Sequence, residues 1–331
     1  MKVLFIGGTG NISTSVSKHC IQRGVELFLL NRGTTGVKID GANEIKADIN
    51  DKVQVESVLK GHRWDAVVNW IVFKQKEVER DIELFKEKTK QYIFISSASA
   101  YQKPPTHPVI TESTPLFNPY WDYSRDKIAC EERLNRAYRE ENFPITIVRP
   151  SLTFGNVIPV ALGGWNDYNI IDRMKKGQKI IVHGDGTSLW VNTHVDDFAQ
   201  GFVGLLGHQQ AIGHAFHITT DEVLTWNQIY TALADAVGVE ANIIHIPTDF
   251  IVKCDKSLEG GLTGDKSNSV IFDNTKIKTF VPDFKATIPF KHGVKRVVDW
   301  FAEDKKRQII NKRTDEMLVR IISEYESKIK Y

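Results

Sequence analysis

This sequence of 331 residues has little cysteine: Cys20, Cys130 and Cys254 are odd in number and far apart. That excludes a disulfide framework. No ligand spacing involves them, so no metal is expected. They read as reduced, buried thiols, which makes the cytoplasm the expected compartment. A long hydrophobic run is also missing. The opening run, Val3 to Ile6, ends in glycines and is too short for a signal peptide or a membrane span. Charge of one sign does not dominate either. The formal net charge is +2 with lysines and arginines scattered, so neither nucleic acid nor a membrane surface is an expected partner. Internal repeats and low-complexity tracts are absent.

What is present starts at once. Lys2 to Ile6 reads as a buried parallel strand that breaks at Gly7-Gly8-Thr9-Gly10, and Ile12, Val16, Cys20 and Ile21 then recur at helical spacing. Strand, glycine turn and helix is the context in which a dinucleotide fingerprint has meaning. Gly7 permits the tight turn, and Gly10 lets the backbone approach a pyrophosphate at the helix N-terminus. Thr9, Asn11 and Ile12 are the adjoining candidates for cofactor contact. The third fingerprint position holds Ser13, small but neither Gly nor Ala.

The second strand, Val25 to Leu30, runs into Asn31-Arg32-Gly33. An acid here would accept bonds from a ribose 2′-hydroxyl and repel a 2′-phosphate. No acid is present and a guanidinium is, which favours NADP over NAD. Thr34 and Thr35 could add hydroxyl donors. A third strand, Asn43 to Ala47, ends at Asp48-Ile49, also candidates for the cofactor. Asp48 could reach an adenine amino group or cap a helix beginning near Asp51. The fourth strand, Trp64 to Asn69, delivers Trp70 to the ligand-binding edge. A crossover helix over Lys76 to Lys90 and a fifth strand, Gln91 to Ser96, place Ser97 and Ser99 at the same edge. The alternation predicts an α/β fold, a doubly wound parallel sheet of Rossmann type with a smaller C-terminal α+β substrate lobe. Residues 1–155 are expected to bind the dinucleotide, with later segments returning to that domain. Residues 156–303 form mainly the substrate lobe, and 304–331 a helical tail packed on the body or a second subunit.

A helix from about Tyr120 to Glu141 carries Tyr123 and Lys127 on one face, one turn apart. An ammonium nearby favours the phenolate and should lower the phenol pKa from about 10. Tyr123 is thereby a candidate general acid/base.

Gly7-x-x-Gly10, Ser97, Tyr123-x-x-x-Lys127 and Ile147-Val148-Arg149-Pro150 together resemble the extended short-chain dehydrogenase/reductases, the NAD-dependent epimerase/dehydratase group. His183 to Thr187 and His194 to Ala199 look like that group's substrate-lobe signature. The resemblance implies that Ser97 hydrogen-bonds the reacting oxygen and Tyr123 moves the proton. It also implies that Lys127 holds the nicotinamide ribose and that Trp70 and Pro150 flank the cofactor. The reaction implied is oxidoreduction or epimerisation at a hydroxyl or keto group of a small molecule, such as a sugar or nucleotide sugar.

Departures narrow it. Ala98 and Ser99 stand where the family's dehydratases carry an acidic pair, which disfavours a common 4,6-dehydratase. Leu189-Trp190-Val191 covers the region where sugar-nucleotide enzymes carry a diphosphate-binding arginine. Ser99, Trp121, Trp165 and Trp190 are the substrate candidates. Gly163-Gly164 and the Leu258–Gly264 stretch are read as loops that could cover the site. Alternatives are an RNA-binding protein resembling chloroplast stem-loop-binding proteins, or a dinucleotide-sensing regulator with a vestigial site. The partner expected is a small-molecule substrate, with a homodimer as a possible assembly.

Overall fold

A computed structural model describes residues 1–34 and 36–329. Its first half alternates β1 (Lys2–Ile6), α1 (Asn11–Gln22), β2 (Glu26–Asn31), β3 (Asn43–Lys46), α2 (Lys52–Val58), β4 (Ala66–Asn69), α3 (Gln75–Phe85) and β5 (Tyr92–Ile95). There follow β6 (Val109–Ile110), α4 (Asp122–Glu141), β7 (Ile145–Val148), β8 (Leu152–Phe154), α5 (Asn169–Lys175) and β9 (Ile180–His183). The chain continues with β10 (Leu189–Trp190), β11 (Asn192–His194), α6 (Val195–Leu205), β12 (Ala215–Phe216) and α7 (Trp226–Val237).

Seven strands form one parallel sheet in the order β12-β7-β5-β4-β1-β2-β3. The strands read as near-continuous apolar runs because both faces are covered. On one face α1 and α6 pack Val16, Phe198 and Phe202 against Phe5 and Val68. On the other, Val55, Val78, Ile82 and Leu134 close over Leu4, Val67 and Phe94. The chain builds outward from β1 to β3, then crosses back to β4. That reversal opens a crevice beyond the carboxyl ends of β1 and β4, where ligands bind in such sheets.

A third core lies beyond that edge. It joins Tyr101 and Leu152 to Trp190, Trp226, Phe290 and Phe301, and to Leu318, Ile321 and Ile322 of the helix Lys312–Ile329. The C-terminal helix therefore packs on the body of its own chain. In the same core, α7 is framed by local chemistry. Thr225 and Gln228 make a reciprocal N-terminal cap, and Gly238 ends the helix at φ +82°.

Two expectations need correction. The crossover helix ends at Phe85 rather than Lys90, because Glu87 takes a left-handed φ of +62° and turns the chain into β5. Cys254 is only half-buried, with its thiol against Glu324, whereas Cys20 and Cys130 are buried as expected.

Candidate active site

The glycine turn joins β1 to α1 with Gly7 at φ +80°. A Cβ there would lie 2.7 Å from Ile71 Cγ2, so the turn fits against the segment leaving β4. That segment is itself fixed: the Ile71 amide donates to Asn69 Oδ1 (3.0 Å), and Asn69 donates to buried Asp81 (2.6 Å). Ser13 does more than fill the third fingerprint position. Its hydroxyl accepts from the Gly10 amide (2.8 Å) and donates to the Gly7 carbonyl (3.0 Å), clamping both ends of the turn. The first turn of α1 has no acid, and its leading amides have no acceptor within the helix, which suits an anion. The Asn11 side chain is engaged elsewhere. It donates to the Thr153 carbonyl (3.0 Å) and accepts from the Gly155 amide (3.1 Å), so Asn11 offers a ligand its backbone amide.

From Gly10 the crevice extends both ways. Toward β2 and β3 it is a hollow of about 320 Å³ lined by Thr9, Asn31, Arg32, Asp48 and Ile49. Arg32 is exposed there and pairs with no carboxylate among the described residues. Asp48 does not cap α2. Asp51 does, accepting from the Gln54 amide (3.0 Å), while Asp48 Oδ1 accepts from the backbone and side chain of Asn50 (3.0 and 3.1 Å). Thr34 also lines this hollow; Thr35 lies outside the described residues.

Toward β4 and β5 the crevice opens into a cavity of about 600 Å³, which shares Gly7, Gly10 and Ile71 with the first hollow. Ile12, Trp70, Ser97, Tyr123, Lys127 and Pro150 line it, and so do Ser99, Trp121, Trp165 and Trp190. Among the described residues, the cofactor, catalytic and substrate candidates thus lie along one continuous cleft.

Inside the cavity the contacts differ from expectation at two places. Lys127 does not hold the phenol in its charged form. Its ammonium donates to the carbonyls of Val72 (2.5 Å) and Ile95 (2.8 Å) and sits 4.5 Å from the Phe73 ring centroid. Burial pushes the Lys127 pKa down to about 8. Tyr123 is raised above its ordinary value by burial, against the neighbouring Ser97 hydroxyl, which lowers it, and the Asp265 carboxylate raises it further. Tyr123 therefore keeps its proton at neutral pH. The second difference is Ser99. The residue is 4% exposed, and its hydroxyl accepts from Ser124 (2.8 Å) and lies 2.9 Å from Ser97 Oγ. It belongs to a chain of hydroxyls, Ser124–Ser99–Ser97, and steadies Ser97 on the cavity wall the two share.

Three charged wall residues escaped the sequence reading: Lys103, Asp265 and Lys266. The stretch read as a covering loop is helical, ending in a π-helical turn at Leu262–Lys266. Such turns often occur at functional sites. Gly260 packs so tightly that a Cβ would lie 2.3 Å from Trp121 Cδ1. The clue available was Gly-Asp-Lys, a weak one without the tertiary fold.

A doubly wound parallel sheet with a glycine turn at its switch point, and a Ser-Tyr-Lys group across the same crevice, defines a dinucleotide-dependent α/β enzyme. Residues 3–219 match the NAD dependent epimerase/dehydratase family, and the chain belongs to that family. It is 26% identical over 270 residues to the chloroplast stem-loop binding protein of 41 kDa b of Arabidopsis thaliana, covering 75% of this chain and 67% of that protein. It is 25% identical over 252 residues to the UDP-glucose 4-epimerase of Lactobacillus helveticus, covering 67% of this chain and 75% of that one. In fold it resembles the UDP-glucuronic acid 4-epimerase of Bacillus cereus in complex with NAD. That likeness has a TM-score of 0.73 and 17% identity, over 93% of this chain and 98% of the other. Among the described residues no helix is long and apolar enough to cross a membrane.

Proposed function

We propose that this enzyme interconverts a hydroxyl and a keto group on a small molecule at Tyr123, with NADP(H) bound along the cleft from Arg32 to Lys127. The observation that supports this most is that Ser97, Tyr123 and Lys127 line one cavity continuous with the glycine turn. The residues fit a dinucleotide: acid-free helix amides for the pyrophosphate, an unpaired guanidinium at the ribose end, and an apolar cavity beside Lys127. When bound, the nicotinamide supplies or accepts the hydride.

The chain's own residues do the rest. In reduction, Tyr123 gives its proton to the carbonyl oxygen as that oxygen gains charge, and Ser97 donates a hydrogen bond to the same atom. The hydroxyl chain through Ser99 and Ser124 holds Ser97 in position. In oxidation, Tyr123 must first lose its proton before it can accept one from the substrate hydroxyl. Lys127 directs two of its three donors at carbonyls and would hold the cofactor's ribose with the third. Trp121, 5.0 Å from the Tyr123 ring, would flank the substrate. Residues 1–155 would carry the dinucleotide and 156–303 most of the substrate wall, with Lys103 and Trp121 contributed from the first part. The relatives named UDP-glucose 4-epimerase support a sugar-like secondary alcohol as the reacting group.

Tyr123→Phe removes the proton and should lower turnover by about 100-fold or more while leaving dinucleotide affinity nearly unchanged. Activity within about tenfold of wild type, a loss of under about 1.4 kcal/mol, would show that another group moves the proton.

A further inference from the structure

The end of the cavity opposite the glycine turn carries charge that the redox reaction does not use. Lys103 is 2% exposed and Lys266 8% exposed, and such burial is rare for lysine without a partner. They share one carboxylate at long range: Lys103 Nζ is 3.5 Å from Asp265 Oδ1, and Lys266 Nζ is 3.6 Å from Asp265 Oδ2. Two lysines face one carboxylate inside an apolar cavity; burial lowers the Lys103 pKa, Asp265 opposes that and Lys266 adds to it, so a second carboxylate would hold both amines charged and balance them. Each ammonium also lies 5.8 Å from an indole ring, Lys103 from Trp190 and Lys266 from Trp121.

The site is built, not incidental. The Lys266 carbonyl accepts from Trp226 Nε1 (2.9 Å) and His183 Nε2 (3.1 Å). The Lys103 amide donates to the Phe117 carbonyl (2.8 Å). Asn118 donates to the carbonyls of Ser99 (2.9 Å) and Gly264 (2.7 Å), joining this wall to the serine that supports Ser97. Trp190 is packed on Trp226, ring centroids 5.5 Å apart, and brings no positive charge to the cavity.

We infer that Lys103 and Lys266 bind a carboxylate of the substrate, which is a compact hydroxy or keto acid rather than a neutral sugar. A second carboxylate brings the cluster of two ammoniums and Asp265 to neutrality. A phosphate monoester, with a charge of about −1.5 to −2, overshoots it. Apolar walls suit the body of such an acid, and the two buried lysines supply charge-assisted hydrogen bonds. The inference rests on Tyr123 as the reacting group, because it places the hydroxyl or keto carbon between Tyr123 and the lysines.

The test is calorimetric titration of the full chain, saturated with NADP, using mandelate and glucuronate, each beside its neutral amide, and phenyl phosphate. The expected result is that an acid binds at least about tenfold more tightly than its amide. Lys103→Met and Lys266→Met should erase that difference without changing NADP affinity. Asp265→Asn should tighten acid binding, a gain that misfolding cannot imitate. Equal affinity for acid and amide, no binding of either acid, weaker binding by Asp265→Asn, or a preference for phenyl phosphate would each overturn the assignment. Tyr123→Phe should keep the discrimination between acid and amide. Acid discrimination in an enzyme whose turnover survives Tyr123→Phe would sink the acid/base role alone. Turnover of a neutral alcohol that needs Tyr123 but shows no acid discrimination would sink the carboxylate site alone.

Discussion

The two ends of the cleft are made in opposite ways. At the glycine turn, residues within seven positions of one another do the work: Gly7 turns the chain, Ser13 clamps it, and the first amides of α1 face outward. At the far end, Lys103, Trp121, Trp190 and Asp265–Lys266 come from four separate stretches and meet only when the third core has formed. The first end is local and general, suited to the part of a ligand shared by many enzymes. The second is distributed, and it is where one enzyme can differ from its relatives without disturbing the cofactor.

Breaking each end should therefore give a different failure. Gly7→Ala puts a Cβ at φ +80° and 2.7 Å from Ile71. It should cost about 2 to 4 kcal/mol of stability and most of the dinucleotide affinity, measured by denaturant midpoint and nucleotide titration. At the far end, burial lowers the His183 pKa to about 4 from an ordinary 6.5. The folded state resists protonation that the unfolded chain accepts, so stability is full above about pH 6.5 and falls as pH drops toward 4. The loss should reach about 3 kcal/mol, and His183→Gln should flatten that slope in urea titrations at pH 7 and pH 5. Gly260→Ala should be milder, about 1 to 3 kcal/mol. Its Cβ pushes on Trp121, so substrate affinity should fall while dinucleotide affinity stays unchanged. If Gly260→Ala weakened the dinucleotide as much as Gly7→Ala does, the two ends would not be separable.

The same contrast explains what the sequence made legible. The sheet, the glycine turn and the Tyr123–Lys127 pair were readable because each is periodic or local. Strand burial follows apolar runs, and helix spacing puts i and i+4 on one face. The role of Lys127 toward the phenol was misread because adjacency on a helix does not fix where a long side chain points. Its ammonium turns to the carbonyls of Val72 and Ile95, which come from other parts of the chain. Asp48 could be read from sequence as a cap or an adenine contact, and the cap proves to be Asp51. Lys103 left no local trace and Asp265–Lys266 only a weak one, since Gly-rich segments read as loops and the π-helical turn at Leu262–Lys266 packs against Trp121 and Tyr120.

The central claim is that a dinucleotide lies along the whole cleft with its adenosine ribose at Arg32. Fluorescence titration of NADPH and NADH into wild type and Arg32→Ala, read by energy transfer from the cavity tryptophans to the reduced nicotinamide, tests it most directly. A charge-assisted contact of about 1.5–3 kcal/mol predicts saturable binding with NADPH tighter than NADH by about tenfold or more. Arg32→Ala should remove most of that preference and leave NADH affinity intact. Absence of saturable binding by either nucleotide would contradict the cleft assignment, and equal or reversed wild-type affinities would contradict the placement of the 2′-phosphate at Arg32.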